Sequence, residues 1–224
     1  MTLAGTPDDL PTVDDQLAGI ARLAADRVGV VAYASITAMR GQGYTTVAAS
    51  SALARAVDEA QYGDGAGPCV QALDDAAPVG VPDIAATMSW PGFREKAVEL
   101  GLRASVSVPL FGGSGATLAA LNLYGHDRFA MAPLLVGIWA VYDPDRPMPD
   151  GTAGLPAPDP GATELIEGFA EALAVRASIQ LALGVIMAGR RCAAADAYVV
   201  LRLRAAAAGV DLATAAAALI GQSA

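Results

Sequence analysis

The chain has 224 residues, a formal net charge of −9 and 54% apolar residues, so it can build one large domain or two modest ones around an alanine-rich core. It holds no run of 18 uninterrupted apolar residues, no basic and apolar leader over residues 1–15, and only two cysteines, Cys69 and Cys192. Those features exclude an uninterrupted membrane span, a signal peptide and a disulfide framework, and they point to a cytoplasmic protein with reduced thiols.

Residues 1–9 read as a disordered leader, and residues 10–27 as a first helix running past Pro11. Residues 28–39 and 44–49 are β-branched and predict a hairpin around Gly41-Gln42-Gly43. Ser51 caps a helix over 51–61, and further helices are predicted over 67–73 and 91–100. Strands follow from 79–84, 104–111 and 116–124, the last two joined by Gly112-Gly113-Ser114-Gly115. Helix returns over 133–142. Strands and helices without regular βαβ alternation predict an α+β domain built on an antiparallel sheet with flanking helices.

Residues 143–161 hold six prolines and few large apolar residues, and read as a linker. Beyond them Leu165, Phe169, Leu173, Ile179, Leu183 and Ile186 recur in steps that mark one stripe of a long helix, with Gly189 near its end. Ala197, Val200, Leu201 and Arg204 continue the pattern in a second helix over 193–208. Gly209 closes it, and Asp211 caps a third through Leu212, Ala216 and Leu219. Charge divides unevenly. Residues 1–160 carry 9 Lys+Arg against 18 Asp+Glu, and residues 161–224 carry 5 against 5, which sum to the 14 and 23 of the whole chain. The tail is therefore neutral, short of the basic footprint of a nucleic-acid-binding domain.

Two sets of residues carry family resemblances. Asp58-x-x-Gln61-Tyr62-x-Asp64-Gly65-x-Gly67-Pro68-Cys69-x-x-Ala72, then Val81-x-Asp83, Trp90-Pro91-x-Phe93, Gly101-x-Arg103-x-Ser105-x-x-x-Val108-Pro109-Leu110 and Leu121-Asn122-Leu123-Tyr124, resemble a GAF sensory domain over residues 10–142. Arg176, Ile179, Ala182-x-Gly184-Val185-Ile186-Met187, Cys192, Asp196-Ala197-Tyr198, Leu201-Arg202, Leu212 and Ala216 resemble an ANTAR domain over residues 162–222. The resemblance implies an all-α three-helix ANTAR module behind the GAF domain. It implies a transcription antitermination regulator, a homodimer through the long helix 164–187 with the GAF domain as a second route to self-association, and stem-loops of nascent RNA as partner.

RNA loops are held by phosphate contacts and by stacking on exposed bases. The residues available for that are Arg176, Arg190, Arg191, Arg202 and Arg204, which read equally as a solvated face with cations suited to a helix C-terminus. The family's usual lysine is Leu183 here, and its usual serine, asparagine and basic positions are Ala205, Gly209, Val210 and Asp211. Those departures keep a rival open, in which the helices only dimerise and the chain is a protein-interaction module or a heterodimer partner of a true antiterminator.

Tyr33, Tyr62, Trp90, Phe93 and Tyr124 read most simply as the core of that domain and are also the candidates for a GAF ligand pocket. No small-molecule ligand is named by the residues. Gly65-Ala66-Gly67-Pro68 lacks the spacing of a phosphate-binding loop and reads as a turn. Cys69 reads as a buried thiol, and His126 has no neighbours at metal-ligand spacing. The adjacent pairs Asp14-Asp15 and Asp74-Asp75 suit caps and turns. No catalytic constellation, cofactor or metal is expected, and no membrane.

Overall fold

The computed structural model describes residues 13–41, 43–145, 147 and 152–222; the expected disordered leader at 1–9, Gln42 of the hairpin turn and part of the expected linker lie outside the described residues. The described chain divides into two compact units, one of 14–110 with 117–169 and the other of 111–116 with 170–222.

The larger unit begins with α1 (Val13–Arg27), then β1 (Tyr33–Arg40), β2 (Gly43–Ala49), α2 (Ala52–Asp64), α3 (Pro68–Asp75), β3 (Val79–Val81), α4 (Pro91–Glu99), β4 (Ala104–Phe111), β5 (Thr117–Gly125) and α5 (Arg128–Tyr142). The five strands form one sheet in the order β2-β1-β5-β4-β3. β1 lies between β2 and β5 and is antiparallel to both, with Tyr33 opposite Tyr124, Ser35 opposite Asn122 and Thr37 opposite Ala120. Period-2 alternation sends Ala34, Ile36 and Ala38 to one face and Ser35 and Thr37 to the other. All five are buried. Helix α2 packs on β1 and β2, and α3 packs on β5 and β3, covering the Ser35–Thr37 face. On the opposite face Gly80 of β3 leaves room for Leu135 and Trp139 of α5.

Several boundaries differ from expectation, each for a local reason. Residues 28–32 are a turn rather than strand, closed by the Val31 N–H donating to the Val28 carbonyl, although Val28 and Val31 are buried as a strand's would be. β3 stops before Pro82, which has no N–H for the ladder. Helix α5 begins a turn earlier than Pro133, because Asp127 accepts from the free N–H groups of Phe129 and Ala130. Ser51 caps α2 as expected, and Gly65 ends it at φ 59.

Helix α6 (Pro160–Arg190) starts inside the stretch read as linker. Asp159 caps it by accepting from Ala162 N–H, and Pro160 supplies a preset first φ. Gly161 passes so close to the Arg27 carbonyl that a Cβ could not fit. The helix runs through Gly189, and Arg191 takes the left-handed closing position at φ 52. The lack of an uninterrupted apolar run argues against a bilayer span, yet α6 has the length and composition of one, with 22% of its most apolar 18-residue stretch buried.

In the smaller unit α6 is followed by α7 (Ala194–Ala208) and α8 (Leu212–Gly221). Their core joins Ile179, Ala182, Leu183 and Ile186 with Ala197, Leu201 and Ala205 and with Leu212, Ala216 and Leu219. Gly209 at φ 66 and the Asp211 cap, which accepts from Thr214 N–H at 2.7 Å, make the α7–α8 corner as the sequence predicts.

Candidate functional site

The α2–α3 face of the sheet is polar at its centre. Every described buried polar residue lies there or on the helices above it: Ser35 and Thr37 of β1, Thr46 of β2, Asn122 of β5, Ser105 and Ser107 of β4, Asp58 and Gln61 of α2. The two serines take this face because they stand opposite Val81 and Val79, whose side chains pack with Tyr124 and with Ala120 respectively.

Asp58 is the hub of this set. Its Oδ1 accepts from Tyr124 OH at 2.7 Å, Ser35 Oγ at 3.0 Å and Asn122 Nδ2 at 3.3 Å, and its Oδ2 from Thr46 Oγ1 at 2.9 Å. Tyr62 OH lies 2.8 Å from Thr46 Oγ1 and 2.7 Å from Thr37 Oγ1. Because Thr46 spends its one proton on Asp58, Tyr62 donates to Thr46 and Thr37 to Tyr62, a chain of hydroxyls all directed at the carboxylate. Asn122 also donates to Ser35 and Thr37, at 3.2 and 2.9 Å. Gln61 accepts from Cys69 N–H at 2.9 Å while its amide reaches Tyr124 OH at 3.4 Å.

Every direct partner of Asp58 is neutral. Burial raises its pKa to about 6, against the opposing pull of the Tyr124, Ser35 and Thr46 hydrogen bonds and of Arg55. Arg55 itself donates to the Thr46 carbonyl. Burial and the Asp58 charge push Cys69, Tyr62 and Tyr124 upward, so the thiol stays protonated and un-nucleophilic.

Of the five aromatic candidates, Tyr62 and Tyr124 belong to this network. Phe93 and Tyr124 share an apolar cluster with Val57, Ile84 and Leu102, against which Tyr33 and Trp90 pack. Trp90 meets Phe93 edge-on at 6.5 Å. Asp58, Gln61, Asn122 and Tyr124 stand in the pattern that resembles a GAF domain, but that pattern does not join them to Ser35, Thr37 and Thr46 as one network. Gly65 is a helix-closing turn, as expected. His126 is exposed, bonded to the Gly101 carbonyl at 3.0 Å and edge-on to Tyr33. Among the described residues no group of three or more His, Cys, Asp or Glu could hold a metal.

The arginines have different surroundings. Arg176 donates to the Gly115 carbonyl at 3.0 Å and lies over the Phe111 ring at 4.1 Å, within the unit that contains both. Arg202 lies 5.8 Å over Tyr198. Arg202 and Arg204 are two positions apart on α7, hence about 160° apart round its axis, on opposite flanks of the buried Leu201 stripe. Arg190, Arg191 and Arg204 are exposed. Leu183, at the family's lysine position, is 4% exposed and packed in the three-helix core, as is Ala205.

Comparison with known proteins agrees with this architecture. The GAF domain family matches residues 12–132, and the ANTAR domain family matches residues 167–220. No curated protein matches the chain. Among solved structures, a GAF domain/HD domain protein from Geobacter sulfurreducens is 13% identical with a TM-score of 0.40, covering 75% of this chain and 94% of that one. The A. aeolicus nlh2 GAF domain in an inactive state is 11% identical with a TM-score of 0.38, over 72% and 78%. A type II free methionine-R-sulfoxide reductase from Thermoplasma acidophilum is 10% identical with a TM-score of 0.37, over 51% and 74%.

Proposed function

We propose, for a chain that belongs to the GAF domain family and carries an ANTAR domain behind it, a cytoplasmic regulator whose sensor domain controls RNA binding by the C-terminal helices. Both are sensory and regulatory domain types rather than catalytic ones. The supporting observation is that α6, α7 and α8 keep one continuous core while Arg190, Arg191 and Arg204 remain exposed at its ends and flank. Two copies would pair through the apolar positions left uncovered on α6 and α7, among them Leu181, Val199 and Leu203. Pairing brings two weak phosphate-binding surfaces to one RNA, so the second contact forms at high effective concentration. The sensor's ligand would act by changing that pairing.

A second reading has its own support. Leu183 and Ala205 are core residues, Arg176 is engaged with Phe111 and Gly115, and Arg202 and Arg204 point apart. On that reading the ANTAR helices mediate protein pairing alone. Binding of a tandem stem-loop RNA at about 50 and about 200 mM salt separates the two. Affinity that weakens steeply with salt supports the RNA reading, and a folded, paired protein with no affinity supports the other.

A further inference from the structure

The polar face of the sheet is unusual in what it leaves open. Asn122 Oδ1 and Ser105 Oγ are buried and have no hydrogen-bond partner, although Asn122 is 0% and Ser105 is 1% exposed. Both belong to the face that holds Asp58, and the other end of the Asn122 amide is bonded to that carboxylate. A buried acceptor without a donor costs about 1–3 kcal/mol, and a buried carboxylate ordinarily has a cation against it. Here Asp58 has only neutral donors in contact, and Oδ2 accepts from a single one, Thr46.

We propose that this face binds a small cationic N–H donor of the ammonium or primary-amine class, held by Asp58, Asn122 Oδ1 and Ser105 Oγ. This rests on the reading of the N-terminal domain as a ligand sensor and names the ligand's chemistry. The site discriminates on both sides. An anion would meet a desolvated carboxylate whose hydrogen-bond partners are all neutral, with Arg55 turned to the Thr46 carbonyl instead, which disfavours nitrate-, phosphate- or carboxylate-type ligands. A purely apolar ligand would leave Asn122 Oδ1 and Ser105 Oγ unpaired. An ammonium group offers several N–H donors in a compact volume, matching the two open acceptors and the second lone pair of Oδ2. Tyr62 and Tyr124 border the carboxylate, and Trp90 and Phe93 lie in the adjoining cluster, so an alkyl substituent on the amine has aromatic surface beside it.

Binding draws on the ionised form of Asp58, so affinity is greatest above the pH at which that carboxyl ionises. Of the neighbouring groups, Tyr62, Cys69 and Tyr124 are pushed upward and stay protonated through neutral pH, and Arg55 bears on Asp58 only as a nearby charge, leaving Asp58 to set the profile. With its pKa near 6, the ionised fraction falls about tenfold between pH 7 and pH 5.

The test is the melting temperature of the full chain, without RNA, titrated with ammonium chloride and methylammonium chloride against equal sodium chloride and sodium acetate. The expected result is a saturable rise with the nitrogen cations alone, about tenfold weaker at pH 5 than at pH 7. The rise should be lost in Asp58→Asn and weakened several-fold in Ser105→Ala, which removes one hydroxyl and keeps the fold. Tighter binding of methylammonium than ammonium identifies an organic amine as the ligand, and the reverse order identifies ammonium itself. No saturable rise in folded protein, an equal rise with acetate, or a rise unchanged in Ser105→Ala overturns the proposal. Amine binding without RNA binding removes only the output reading, and RNA binding without amine binding removes only this one.

Discussion

The hydroxyl of Tyr124 donates to Oδ1 of Asp58 at 2.7 Å, although the two residues are 66 positions apart in the chain. That bond ties the middle of α2 to the end of β5 through the interior of the sensor domain. The carboxylate it reaches is desolvated, and its protonation is coupled to the fold.

Asp58 makes stability depend on pH in a direction opposite to that of an ion-paired carboxylate. Its folded pKa is raised to about 6 from 3.8, so its stabilising share is complete below about pH 4 and is lost as pH rises through 6. A carboxyl held that far above its ordinary range contributes about 3 kcal/mol. Urea unfolding of the wild type and of Asp58→Asn should therefore diverge by that order between pH 4 and pH 7, with the wild type losing ground as pH rises. Parallel profiles would show that Asp58 titrates normally.

Leu183 occupies the family's lysine position inside the three-helix core. Leu183→Lys, which restores the family residue, should lower the stability of the C-terminal helices by about 3 to 5 kcal/mol through an unpaired buried charge, and should not raise RNA affinity. Leu183→Ala should cost about 2 to 5 kcal/mol by cavity formation. Helical circular dichroism on heating measures both. A lysine variant that stays folded and binds RNA more tightly would show that the helix turns this position outward.

Two non-glycine residues close helices in the left-handed region, Ala76 at φ 51 after α3 and Arg191 at φ 52 after α6. Left-handed backbone at a non-glycine residue costs about 1 to 2 kcal/mol, partly offset by the greater unfolded-state freedom of glycine. Ala76→Gly and Arg191→Gly are each expected to raise the unfolding free energy by about 0.5 to 1 kcal/mol. A loss in either would mean that the side chain contributes more than its backbone strain.

If the exposed arginines contact RNA phosphates, the salt dependence counts them. Three contacts per copy, six for a pair on single-stranded loops, give a slope of log affinity against log salt of about −4. Replacing Arg190, Arg191 and Arg204 together with alanine should flatten that slope towards zero, whereas Arg176→Ala should leave it nearly unchanged because Arg176 is already held by Phe111 and Gly115. Filter binding across a salt series reads both.

Much of the architecture is legible in the chain because its signals are local. The Ser51 and Asp211 caps, the Gly65 and Gly209 closures and the Ile179–Leu183–Ile186 stripe each act within a few residues of where they stand. The polar core is not legible in the same way. Asn122 and Asp58 are 64 positions apart, and although both stand in the GAF-like pattern, nothing local to either shows that they meet. Only the β1–β5 register, with Ser35 opposite Asn122, brings them together. The start of α5 is obscured for a related reason: Pro133 is a conspicuous helix-start residue, while the Asp127 cap that sets the boundary is an ordinary acidic residue.

The buried polar row also constrains which sheet this chain can make. Side chains alternate along a strand, so a slip of one residue between β1 and β5 would turn Asn122 away from Asp58 and set Leu121 or Leu123 against Ser35. An alanine- and valine-rich sheet, buried on both faces, has little in its apolar side chains to forbid such a slip. Here a slipped sheet would strand the Asp58 carboxylate and the hydroxyls around it, at about 1 to 3 kcal/mol for each unpaired group. The same residues that hold the sensor's interior thus act as a proofreading key for its assembly, admitting one strand alignment and rejecting its neighbours.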